Sequence, residues 1–249
     1  MSSFPRSNSY TKAMQRVHRL SLEAAGNFFD AWADRFVKNG PFHSIGKRPV
    51  LSILSIRDFA ITYGFQGFRI LLQFGRSRIR SRIGVEPYIM GIFNKGDTTN
   101  VTLANQLLLD GVTGYALLPD WTGPPIQSYK ELIEERVQEW YRMQARLQMP
   151  FFPVVSAGWD ATVRGQRVQS LQRMKGFPWR PVVTGVTPHL FGHFLDEAIH
   201  FNNIHHPELP YVFLHAWNEW TESSAIEASD KYGTKLLDEV RKRSPLANR

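Results

Sequence analysis

The sequence predicts an α/β fold of about six parallel strands with flanking helices, and three observations carry that expectation. Short apolar, β-rich runs recur roughly every 30 residues, the length of a βα repeat. The runs are nearly continuous in apolar residues, as strands covered on both faces are. Between them lie stretches with helical periodicity and helix-capping signals, and strands alternating with helices argue a parallel sheet. Six runs fall short of the eight strands of a closed (β/α)8 barrel, so either an incomplete barrel or an open sheet is expected. In both, function gathers at the C-terminal ends of the strands.

The elements follow in order. Residues 10–37 read as an opening helical region with Phe28, Phe29, Trp32 and Phe36 on one side. Residues 1–40 are taken as an N-terminal helical segment and 41–249 as the main domain. The six strand-like runs are residues 49–55 (PVLSILS), 87–94 (PYIMGIFN), 114–121 (GYALLPDW), 151–160 (FFPVVSAGWD), 181–186 (PVVTGV) and 211–220 (YVFLHAWNEW). Ser128 and Glu131 form a capping box ahead of an apolar stripe of Ile133, Val137, Trp140 and Tyr141. Thr187-Pro188 places a cap and a first-turn proline before Leu190, Phe191, Phe194, Leu195 and Ala198. Residues 230–243 read as a final helix packing Leu236, Leu237 and Val240. There is no internal repeat beyond the βα period and no low-complexity linker.

Composition narrows the function. The 249 residues hold no cysteine, which excludes disulfides, thiolate metal sites and a Cys nucleophile, and fits a reducing compartment. The first twelve residues lack the apolar run of a signal peptide, and no window approaches the ~18 apolar residues of a membrane span. A soluble, cytoplasmic protein is expected. The net charge is +8, much of it in Arg76, Arg78, Arg80 and Arg82 and in Arg241, Lys242 and Arg243. Both clusters fall near the ends of expected helices, where cations complement the helix dipole. A nucleic-acid or anionic-surface partner is the alternative that rests on this charge alone. No phosphate-binding loop, dinucleotide fingerprint, D-x-D metal clasp or G-x-S-x-G elbow occurs, so no cofactor is expected. His189 and His193 have a metal-ligand spacing but no third ligand, and no metal site is expected. His205 and His206 read as part of a surface loop before Pro207.

The ends of the runs are polar. They give Arg57-Asp58, then Asn94 before Lys95-Gly96-Asp97, Asp120-Trp121, Trp159-Asp160, and finally Trp217-Asn218-Glu219-Trp220 with Glu222 just beyond. An acid beside a tryptophan at a strand end suits a sugar, whose C–H face packs on an indole while its hydroxyls seek an acceptor. The plainer alternative is that such acids cap loop starts. Glu219 and Glu222 are the sharpest pair. Glycosyl transfer needs one carboxyl group to protonate a leaving oxygen and another to act as base or nucleophile. Mutual repulsion would keep one of the two protonated near neutrality, as a general acid requires.

The stretch VFLHAWNEWTESSAIEASDKYGTKLLDEV resembles the C-terminal signature of the glycoside hydrolase family 99-like domain, a group that includes the WbsX-type proteins of surface-polysaccharide loci. The resemblance rests on Ala216-Trp217-Asn218-Glu219-Trp220, Glu222, Ile226-Glu227 and Tyr232-Gly233. Gly158-Trp159-Asp160 with the following Arg164 is a second match, and residues 45–50 (IGKRPV) a looser third. The resemblance implies a TIM-barrel-like fold acting on glycans. It assigns Glu219 as the base on a sugar 2-hydroxyl and Glu222 as the general acid. The polar run ends give Asp120, Trp121, Trp159, Asp160, Trp217, Asn218 and Trp220 as substrate-binding candidates, and Glu227 is added from the matched segment. The expected partner is a glycan or polysaccharide. Ser223 stands where the family pattern has glycine, and Ala228 where it has proline. The family's first barrel strands have no counterpart before Tyr10, so exposed sheet edges and self-association, or pairing with a separate N-terminal fragment, are expected. A non-catalytic carbohydrate-binding remnant of the family is the alternative to an enzyme.

Overall fold

The computed structural model of the protein describes residues 21–38, 43–93, 97–115, 118–165 and 179–244. The expectations for residues 10–20, for Asn94, Lys95 and Gly96, and for the side chain of Phe36 lie outside the described residues. The chain divides into two compact units, Met1–Leu51 with Ser55–Tyr88, and Ser52–Leu54 with Ile89–Arg249.

The first unit is built on helix packing. Helix α1 is Leu22–Lys38, followed by a short antiparallel hairpin of β1 (Ser44–Ile45) and β2 (Arg48–Leu54). Its two-residue turn, Gly46-Lys47, has both φ angles positive, the geometry that matches strand twist. Helices α2 (Ile56–Tyr63) and α3 (Phe65–Ile83) complete the unit. On α1 the fourfold spacing of Ala25, Phe29 and Ala33 makes one stripe, which buries against Leu51 and Ile79 with Trp32 and Phe74 partly buried beside it. Phe28 falls off that stripe and is 52% exposed, which corrects its placement on one side with Phe29 and Trp32.

The close approach of α1 to α3 depends on Gly75. A Cβ there would lie 2.5 Å from the Phe29 ring. Gly75→Ala is therefore expected to destabilise the protein by about 1–3 kcal/mol through overpacking, although alanine is the better helix former. A denaturant midpoint that stays level or rises would contradict this.

The arginine clusters are closed onto the chain's own acids. Arg78 holds both oxygens of Asp30 at 2.9 and 2.8 Å, Arg82 binds Asp34 in the same forked way, and Arg76 and Arg80 lie 3.8 and 3.5 Å from Glu86. At the other end Arg243 forks onto Asp196 at 2.6 and 2.7 Å and also binds Glu239, which Lys242 shares. The hydrogen bond from Arg243 holds the Asp196 carboxyl below the usual range. Most cations of the two clusters thus meet acids of the same chain, while the net charge of the whole chain stays at +8.

The second unit carries the parallel strands. They are β3 (Tyr88–Phe93), β4 (Gly111–Gly114), β5 (Ile126–Ser128), β6 (Phe151–Phe152), β7 (Val154–Ser156), β8 (Val182–Thr184) and β9 (Phe213–His215). The pairs β3/β4, β4/β6, β5/β8 and β7/β9 are all parallel. Helices α4 (Thr98–Gln106), α5 (Tyr129–Gln144), α6 (Pro188–His205) and α7 (Lys235–Arg243) alternate with them. The expected α/β pattern is present, with three corrections. Pro153 lacks the N–H a ladder needs, so the run 151–160 becomes two short strands with different partners. The third strand ends at Gly114, where the predicted run begins, so Asp120 and Trp121 lie in a turn well past it. The last strand is only Phe213–His215, and Glu219 stands four residues beyond its end.

The helix signals read from the sequence operate as caps. Ser128 Oγ accepts from Glu131 N at 3.5 Å and Thr187 Oγ1 from Leu190 N at 3.2 Å. The buried faces of α5 and α6 meet through Trp140 and Phe194, whose rings stack at 5.1 Å. His206 is not in a surface loop. It caps α6, is buried, and meets Gln144 Oε1 at 2.7 Å through Nε2, and burial pushes its pKa down. No helix among the described residues is long and apolar enough to cross a membrane.

Candidate active site

Strands β7 and β9 run side by side with Ser156 opposite His215, so the segments leaving them emerge together. The backbone locks these segments to each other. Asp160 N donates to Glu222 O at 2.8 Å and Ala157 N to His215 O at 3.3 Å. Beyond β9 the chain makes a 3-10 turn over Trp220–Glu222, which ends at Ser223 in the left-handed region (φ 53, ψ 30). Gly158 (φ 146) passes under that turn, and a Cβ there would sit 3.1 Å from Ser223 O. Only glycine fits both the conformation and the space.

Five ionisable side chains meet at this point. Arg164, on the short turn after Asp160, reaches across to the pair of glutamates. Its Nη1 lies 2.8 Å from Glu222 Oε1 and its Nη2 donates to Glu219 Oε1 at 3.2 Å. Its Nε and Nη2 also donate to Thr221 Oγ1, and the Thr221 hydroxyl donates to Glu219 Oε1. The repulsion expected between the two carboxylates is therefore offset by one guanidinium shared between them. Their environments differ. The Glu222 side chain is 5% exposed and that of Glu219 34%. The other Glu222 oxygen, Oε2, lies 3.3 Å from His215 Nε2. The Tyr115 ring meets the His215 ring edge-on at 4.9 Å. Burial, then the negative charge of Glu222 and Glu219, pushes the Tyr115 phenol up, so it is a neutral donor at ordinary pH.

The other candidates divide into three groups. Asp120 and Asp160 behave as loop caps, each accepting from the backbone N–H and hydroxyl of a threonine two residues on, Thr122 and Thr162. The hydrogen bonds from Thr122 hold Asp120 below the usual carboxylate range. Trp159 is 1% exposed, stacked on His215 and edge-on to Trp121, which corrects its reading as an open sugar platform. Trp217, Asn218 and Trp220 do face outward, with Trp217 57% and Trp220 48% exposed. Glu227 holds the Trp220 indole in place, accepting from Nε1 at 2.9 Å. A cavity of about 240 Å³ lies alongside, lined among others by Asp160, Trp220, Ser223, Lys231 and Tyr232; the two glutamate carboxylates do not line it. Among the described residues no cluster of His, Asp and Glu is arranged to hold a metal ion.

Sequence reasoning passed over His215 and Tyr115. His215 sits inside an apolar run, and its place as the last strand residue, one step before Ala216-Trp217-Asn218-Glu219-Trp220, was the available signal. Tyr115 is the first residue past β4, and no pattern in the sequence sets it apart.

The family model described as Glycosyltransferase WbsX matches residues 85–240, more than half of the chain. The chain belongs to this family. The WbsX match runs from β3 to α7 and so contains Arg164, His215, Glu219 and Glu222. No curated relative matches. Two solved structures of the GH99 endo-alpha-mannosidase from Bacteroides thetaiotaomicron are similar in fold. One, in complex with BIS-TRIS-Propane, has a TM-score of 0.56 at 13% identity over 91% of this chain, and the other 0.55 at 14% identity over 92%. The WbsX-family chain spans 65% of the length of each. Its fold is thus α/β and TIM-barrel-like, in an incomplete form.

Proposed function

We propose that this WbsX-family chain is a glycan-active enzyme that hydrolyses or transfers a glycosyl group of a surface polysaccharide, with Glu219 and Glu222 as its catalytic pair. The observation that carries the reading is the unequal sharing of one guanidinium by two carboxylates at the strand ends. Unequal environments separate the roles of two like groups. Glu222, buried against His215, is suited to hold a proton for the leaving oxygen. Glu219, a third exposed and hydrogen-bonded by Thr221, is suited to receive one from a substrate hydroxyl. Resemblance to the hydrolase branch supports the same division, with Glu219 acting on the 2-hydroxyl. Trp217 and Trp220 offer indole faces to neighbouring sugar rings.

Manno-oligosaccharides are the first substrates to test, because the similar solved structures are of an endo-alpha-mannosidase; oligosaccharides cut from surface polysaccharides are the second. The wild type is expected to process at least one of them, and Glu219→Gln to bind it while turning it over about a thousandfold more slowly, the scale of a lost general base. A wild type that binds glycans and processes none would leave the non-catalytic, carbohydrate-binding reading.

A further inference from the structure

We infer that His215 is a positioning residue that shares one proton with Glu222, so that the acid of the proposed pair is a His–Glu couple rather than a lone carboxyl group. This rests on the catalytic reading above for its role in turnover, but not for its existence. Three observations lead to it.

The first is burial. The side chains of His215 and Glu222 are 8% and 5% exposed, so water does not satisfy them. The second is that His215 Nε2 and Glu222 Oε2 have no hydrogen-bond partner among the described residues, yet lie 3.3 Å from each other. Two buried polar atoms left open at this separation call for an explanation. The third is the other side of the ring. Ser156 Oγ donates its single proton to Gly158 O at 2.9 Å, and His215 Nδ1 lies 3.4 Å from Ser156 Oγ. With that proton committed, Ser156 can only accept from the imidazole, so Nδ1 carries hydrogen. Tyr129, whose hydroxyl donates to Ser156 O at 2.7 Å, fixes the backbone of this relay.

The tautomer decides the rest. With Nδ1 protonated, a neutral ring would leave Nε2 an acceptor 3.3 Å from a carboxylate oxygen, two acceptors close together in a buried site. That arrangement is unfavourable unless one proton lies between them, on Nε2 or on Oε2. The remaining groups around the ring do not supply it. Trp159 stacks on one face, the neutral Tyr115 meets an edge, and Arg164 is turned to Glu222 Oε1 and Glu219. In turnover the shared proton passes to the leaving glycosidic oxygen as its bond to the anomeric carbon breaks. The couple is left as carboxylate and neutral imidazole beside Arg164. The attacking water, or the acceptor hydroxyl, returns a proton to it as the new bond to the anomeric carbon forms.

The test is magnetic resonance on the full chain at pH 7, with labelled histidine rings and labelled glutamate carboxyl groups. His215 is assigned by loss of its signals in His215→Asn, and Glu222 by loss in Glu222→Gln. The expected result is a protonated Nδ1 together with a proton on either Nε2 or the Glu222 carboxyl group. In Glu222→Gln, Nε2 should shift to the unprotonated range, because the glutamine amide donates to it. In His215→Asn, the Glu222 carboxyl signal should move. An unprotonated Nε2 opposite an ionised Glu222 in the wild type would overturn the inference, as would a Glu222 signal unmoved by His215→Asn. The readout needs no substrate, so a wild type without turnover would sink the catalytic reading alone.

Discussion

The Glu222→Gln enzyme is expected to lose about a thousandfold in kcat/KM on a natural glycan while keeping its fold and most of its affinity. The change is nearly isosteric. The glutamine oxygen can still accept from Arg164, and its amide can donate to His215 Nε2, so the neighbours at 2.8 and 3.3 Å keep their partners. What disappears is the proton that the leaving oxygen takes up, an interaction made only in the transition state. The loss should therefore fall on kcat rather than KM. A variant with wild-type turnover would remove Glu222 from the mechanism.

Arg164→Met is expected to have the largest effect on stability of any change at the site. Methionine keeps the length of the stem but leaves the two glutamates, one of them 5% exposed, without the guanidinium they share. Breaking one side of a buried pair costs about 3–5 kcal/mol, and the one-third exposure of Arg164 places the expected loss near the bottom of that range, about 3 kcal/mol. If the cost is that Glu222 loses its guanidinium partner, then Arg164→Met combined with Glu222→Gln should be more stable than Arg164→Met alone. Chemical denaturation of the four proteins measures this. A double variant no more stable than Arg164→Met would show that the loss comes from packing or from Thr221, which Arg164 also holds at 2.7 Å.

Much of this fold is legible in the sequence because its signals are local. Ser128 and Thr187 cap the helices they were expected to cap, since a cap needs only a side chain and an N–H three residues away. The position of β3 follows from an apolar run bounded by a proline. The boundaries of β4 and β9 do not follow, because an apolar run says what is buried and not where the ladder ends: Leu118 is buried outside any strand. Trp159 shows the same limit at the site. A tryptophan beside an acid reads as a sugar platform, but its exposure is decided by Trp121 and His215, which come from distant segments. Glu219, Glu222 and Arg164 were visible through the resemblance. That His215 completes the group depends on β7 and β9 being neighbours, a pairing no local pattern encodes.

Leaving-group dependence distinguishes a Glu222 that protonates the leaving oxygen, with Glu219 acting elsewhere, from the reverse assignment. Once the accepted sugar is known, each variant is compared on its natural glycoside and on the dinitrophenyl glycoside of the same sugar, whose leaving group departs without a proton. Glu222→Gln is predicted to be slow on the first and to recover most of its rate on the second, while Glu219→Gln stays slow on both. Equal deficits for Glu222→Gln on the two substrates would show that Glu222 does not protonate the leaving oxygen.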